Sequence, residues 1–98
     1  MKRDLENITG FFRQVQSDKR LRPVHLSLCM ALCTCWQSGN YQMPFRVTRE
    51  GLMELARIGS TATYHKCIKE LLGFGYIDYR PDYNYYKGSR VSLTLIKV

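Results

Sequence analysis

The stretch "GSTATYHKCIKELLGFGYI", residues 59–77, gathers side chains suited to an anion. Ser60, Thr61 and Thr63 bring small hydroxyls, and His65, Lys66 and Lys69 follow at intervals among apolar residues. Read as a helix, the hydroxyls stand at its N-terminal end, where backbone N–H groups are themselves anion donors. The longer polar side chains then reach for base edges or phosphates. A plainer chemistry competes. Ser60 is a natural N-cap, and the lysines suit a solvated helix face. A second basic set follows, with Arg80, Lys87 and Arg90 among Tyr79, Tyr83, Tyr85 and Tyr86. Such a mixture suits phosphate contact or stacking on single-strand bases, and tyrosines also fit the faces of a β-hairpin.

Other chemistries find little support. Cys29, Cys33, Cys35 and Cys67 are spaced C-x3-C-x-C with a distant fourth, unlike the paired C-x2-C of a zinc ribbon. They are expected as small buried thiols, with no metal and no cofactor. His25, on an apolar segment, is expected as a core or interface histidine with no acid or cysteine in metal-like partnership. There is no Gly-rich phosphate loop, no paired carboxylates in a pocket-forming motif and no supported Ser-His-Asp or Cys-His set. The chain is not expected to be an enzyme.

A chain of 98 residues with 45% apolar content sustains one modest core. A single domain over 1–98 is expected, with an N-terminal helix and connector over 1–22 and the main body over 23–98. No apolar run approaches the ~20 residues that span a bilayer. The N-terminus has Asp4 and Glu6 and no apolar signal region, so a cytoplasmic protein is expected and no membrane partner. The net charge of +7 points to an anionic partner. That charge is spread along the chain, unlike a basic amphipathic membrane helix.

The elements that must position these side chains are legible as changes of period. Leu5, Ile8, Phe12 and Val15 mark one face of a helix over 3–17, leaving Phe11 off that face, to meet a neighbouring element or another chain. Pro23 opens a second helix, 23–37, apolar on nearly every side and therefore central. Ser38-Gly39-Asn40 ends it, with Gly and Asn tolerating a left-handed cap. "MPFRV" is a short extended segment. Thr48 caps a third helix, with Glu50 in its first turn and Leu52, Leu55 and Ala56 as its apolar face. After Ile58-Gly59, Ser60 caps the fourth, which runs to about Phe74 with Tyr64, Cys67 or Ile68, and Leu71 inward; Gly75 stops it. Then the period becomes two: Ile77 and Tyr79 alternate with Asp78 and Arg80. Val91, Leu93 and Leu95 alternate with Ser92, Thr94 and Ile96.

Two short helices, a tight turn and a closing hairpin make a helix-turn-helix with a wing. "STATYHKCIKELLGFGYI" resembles the winged-helix transcription factors, especially their GntR-like branch, with Ser60, Thr63-Tyr64, Ile68, Leu71 and Gly75-Tyr76-Ile77 in the matching positions. More loosely, the chain resembles small winged-helix proteins of bacterial mobile elements. It departs from the pattern at Ala56-Arg57-Ile58-Gly59-Ser60, where the family's turn is usually L-G-V-S, and at Thr61, where the family often has Arg. The resemblance implies an α+β, mainly α fold, a winged helix-turn-helix with N-terminal helices and a C-terminal β-hairpin wing. It implies a regulator of transcription that binds double-stranded DNA. The recognition helix, about 60–74, would enter the major groove, and the wing, about 76–96, would lie on the backbone or minor groove. The DNA-binding candidates are Arg49, Ser60, Thr61, Thr63, His65, Lys66, Lys69, Arg80, Lys87 and Arg90. A winged-helix protein-interaction module is the alternative, as is a replication or mobile-element accessory factor. The apolar N-terminal half, with Phe11, Phe12 and Trp36, leads to the expectation of a homodimer through residues 5–36. No small-molecule ligand is expected.

Overall fold

The computed structural model describes residues 2–81 and 88–94. Tyr83, Tyr85, Tyr86, Lys87, Leu95 and Ile96 lie outside the described residues, as does the side chain of Leu5. The chain runs α1 (Lys2–Ser17), α2 (Pro23–Ser38), β1 (Phe45–Val47), α3 (Arg49–Ala56), α4 (Thr61–Gly73), β2 (Ile77–Arg80) and β3 (Ser89–Leu93). It is α+β and mainly helical. The strands form one antiparallel sheet in the order β1-β3-β2. Phe45 stands opposite Val91, and Ile77 opposite Leu93. No helix among the described residues is long and apolar enough to cross a membrane.

Alternation sorts the strands. Phe45, Val47, Ile77, Val91 and Leu93 are buried against the helices, while Arg46, Asp78, Arg80 and Arg90 are exposed. α4 buries Tyr64, Cys67, Ile68 and Leu71, the inward set read from the sequence.

α1 is rotated from the expected face. Ile8, Phe11 and Val15 are buried, with Phe11 wholly enclosed, and Phe12 is only half-buried at the rim. Phe11 meets the edges of Phe12 and Tyr76 at 6.0 and 6.1 Å between ring centroids. Trp36 is likewise buried within the chain, edge-on to Tyr41. The cover sought from a second chain for Phe11 and Trp36 is therefore supplied internally. Leu26 and Met30 on α2 remain exposed, and so does Leu55, which the sequence pattern had placed on the apolar face of α3.

Three helices end in the same way. Asn40, Arg57 and Gly75 take positive φ of 57°, 60° and 84°. In each case the next residue's N–H reaches back five residues: Tyr41 to Trp36, Ile58 to Met53 and Tyr76 to Leu71. This Schellman closure satisfies carbonyls left over at a helix end. Gly39 does not take the left-handed role, since its φ is −90°. Arg57 fills the position where the family pattern has glycine, and the α3–α4 turn still closes.

A polar strut ties the α1–α2 connector to the exit of α4. The Tyr76 hydroxyl donates to Asp18 Oδ2 at 2.7 Å, and Arg20 donates to both Asp18 oxygens at 2.9 and 2.6 Å. The Arg20 guanidinium also lies 4.1 Å over the Phe74 ring. Arg20, then the Tyr76 hydroxyl, holds the Asp18 carboxyl well below the usual carboxylate range. Burial, then the bond to Asp18, pushes the Tyr76 phenol up to about 12.

The signs give a window. A depressed carboxylate contributes stability above its unfolded value and loses it as pH falls below about 4. A raised phenol keeps its contribution up to its unfolded value and loses it as pH rises from about 10 towards 12. Melting temperature against pH should therefore fall on both sides of that plateau, and Tyr76→Phe should flatten the alkaline fall. An unchanged alkaline limb in Tyr76→Phe would show that the Asp18–Tyr76 strut does not set stability at high pH.

Candidate nucleic-acid interface

α4 is built from its first residue to present a polar side. Ser60 is extended, and its Oγ accepts the Thr63 N–H at 3.3 Å, so the cap expected there forms. Thr48 does the same for α3, accepting from Gly51 N–H at 3.0 Å. The Ser27 hydroxyl donates to the Ala56 carbonyl, pinning the end of α3 to α2 just before the turn. Thr61, Ala62, His65, Lys66 and Lys69 then lie three to four residues apart on one exposed face of α4, with Thr63 exposed beside them. The His65 ring sits edge-on to Tyr64 at 5.3 Å, which limits where it can point.

The electrostatics of this face are one-sided. No acid occurs between Glu54 and Glu70, a run that holds Arg57, His65, Lys66 and Lys69. Glu70, beside Lys69 in the chain, reaches inward to His25. Arg49 is exposed in the first turn of α3, close enough to the Tyr64 hydroxyl to act on its titration. Burial dominates there and raises the Tyr64 phenol. That hydroxyl and Trp36 Nε1 are buried without a hydrogen-bond partner among the described residues.

Arg80 and Arg90 stand directly opposite each other on β2 and β3 and are both exposed. They belong to the sheet, and Arg49 with the α4 set belongs to the helices. Lys87 lies outside the described residues. The sequence reading missed Arg46, which faces Arg90 from β1. Its signal was the alternation in "FRV", whose burial reads in, out, in.

Comparison with family models, curated proteins and solved structures returns no match.

His25 corrects an expectation. An acid and a cysteine do join it: ligand atoms of His25, Cys67 and Glu70 lie within 4.8 Å of one another. The hydrogen bonds explain the grouping. His25 Nδ1 accepts the Arg22 N–H at 2.9 Å, capping the start of α2, and Nε2 faces Glu70 Oε1 at 3.3 Å. An Nδ1 that accepts leaves the ring proton on Nε2, to be donated to Glu70. Histidines that ligate through one nitrogen ordinarily donate from the other, so a metal at Nε2 would have to dismantle this cap. The group is a buried link between α2 and α4. The cysteines are free, and burial pushes Cys29 and Cys33 up to about 12 and raises Cys35 and Cys67. These are poor conditions for a thiolate nucleophile or ligand.

Proposed function

We propose that the chain is a winged-helix protein that binds double-stranded DNA, acting as a regulator of transcription with α4 as its recognition helix. The observation that carries this is the acid-free face of α4, whose N-terminal turn is capped, small and polar while its opposite side is committed to the core. A helix end of this kind suits entry into the major groove, with Ser60, Thr61 and Thr63 against phosphate and His65, Lys66 and Lys69 within reach of bases or backbone. The order helix, strand, helix, helix, strand, strand over α2 to β3, with β3 central, is compatible with a winged helix. Arg49 adds a phosphate contact beside α4, and Lys87 joins it by resemblance. An accessory role in replication or mobile-element movement would use the same interface.

Binding of a labelled duplex should weaken steeply with salt, the logarithm of affinity falling with a slope of about −0.9 for each phosphate contacted. A protein-interaction module instead would bind duplex only weakly and without sequence preference, losing it at modest salt. A homodimer through residues 5–36 would use the groove of about 350 Å³ lined by Phe12, Val15, Gln16, Leu26, Cys29 and Met30, an apolar surface that α1 and α2 leave open.

A further inference from the structure

Three arginines stand side by side across the sheet. Arg46 on β1 is in register with Arg90 on β3, and Arg90 with Arg80 on β2. Strands lie about 4.8 Å apart, so this single rung sets three guanidinium groups across roughly 10 Å. All three residues are exposed, on the side opposite to Phe45, Val47, Tyr79 and Val91. Like charges directly opposite one another weaken a sheet. Basic residues on edge strands have a ready explanation, since they discourage edge-to-edge pairing. Arg90 has none of that kind, because β3 is the central strand. The Asp78 carboxylate meets Arg80 at 3.4 Å, but the two side chains are 59% and 80% exposed, and such a pair is weak. Beside the rung lies a depression of about 190 Å³ lined by Pro44, Asp78, Arg80, Arg90 and Ser92.

This surface is not a continuation of α4. Tyr64, on the buried side of α4, lies beside Tyr79 on the inner side of the sheet. The polar face of α4 and the arginine rung therefore leave the shared core on different sides. We propose that the rung is a second nucleic-acid surface, holding the phosphate backbone of a second duplex segment while α4 occupies the first. The inference rests on the DNA-binding reading above. Guanidinium forks match phosphate oxygens in pairs. A membrane or an apolar peptide would want exposed apolar residues beside the charges. The large exposed ones among the described residues, Leu26, Met30, Leu55 and Leu72, are all on helices.

The experiment uses the full chain, a duplex fixed to beads and an excess of a second, labelled duplex. Wild type is expected to capture the labelled duplex. The R46S/R80S/R90S variant is expected to lose that capture while still unfolding in a single cooperative transition. Its salt slope on a single limiting duplex should match wild type. Arg90→Thr, which keeps a residue suited to a strand, should lose most of the capture alone. Capture that survives in the triple variant overturns the inference, as does a wild type that binds one duplex and captures no second. A single-duplex slope flattened by about 2.7, three contacts at ~0.9 each, also overturns it, because the rung would then share the duplex with α4. Wild type that binds no duplex at low salt overturns the DNA-binding reading itself.

Discussion

Phe11→Ala should lower the free energy of unfolding by about 3–5 kcal/mol, the usual range for emptying a buried aromatic site. Phe11 is fully enclosed and sits between the rings of Phe12 and Tyr76. Removing it opens a cavity between α1 and the exit of α4, and the Asp18–Tyr76 strut beside it limits how far the walls can close. A domain of this size has roughly 5–15 kcal/mol in total, so the variant loses a large share of its stability. Phe12→Ala, at the rim, should cost about 1 kcal/mol. Urea unfolding of the two variants makes the comparison. A larger loss at Phe12 would mean that α1 packs through the face first read from the sequence. Equal and small losses would mean that α1 is peripheral to the core.

On α4 the expected effects are on binding, with folding spared. His65→Ala and Lys66→Ala remove exposed side chains, so stability should stay within about 0.5 kcal/mol of wild type. Each that contacts a base should relax preference at one base pair by about 1–3 kcal/mol, roughly 5- to 150-fold in affinity ratio. Thr63 should accept Ser better than Val, because its assigned partner is a phosphate oxygen. Tyr64→Ala should do the reverse and unfold the domain, since that ring is 1% exposed. Binding-site selection on wild type, then affinity and melting measurements on each variant, separates these classes. If both polar variants bind every duplex as wild type does, while Tyr64→Ala keeps its melting temperature and loses DNA, α4 does not present this face to the groove.

Local features of the chain were readable. The caps at Thr48 and Ser60, the inward set on α4 and the alternation in β2 and β3 depend on neighbours within a few residues, and all are found. The face of α1 was not readable, because Phe11 and Phe12 are adjacent aromatics. Each completes a helical stripe with Ile8 and Val15, and only the position of Tyr76 selects Phe11. Leu55 and Met30 show the same limit: periodicity says which side is apolar, and the available cover decides whether it is buried. His25 and Glu70 are 45 residues apart, so their link needed the fold. The arginine rung needed strand register, which the separate segments "FRV", "DYR" and "SRV" do not reveal alone. At the candidate interface, the polar face of α4 was legible as a helical stripe. The grouping of Arg46 with Arg80 and Arg90 was not.

The order β1-β3-β2 has a consequence for how the molecule is made. Among the described residues neither outer strand touches the other, and each pairs along its length with β3, the last of these strands to be synthesised. A growing chain on the ribosome can coil its helices early, but Phe45 and Ile77 must wait for Val91 and Leu93 before their sheet exists. The β1–β3 pairing has a long sequence separation and forms slowly, because the intervening loop must first be closed, whereas β2 and β3 are consecutive strands and pair locally. Until then the hydrogen-bonding edges of β1 and β2 stay unpaired, the condition in which nascent chains aggregate or engage chaperones. Folding of this domain should accordingly be a late, all-at-once event, and a chain cut short before residue 89 should fail as a whole rather than lose only its last strand.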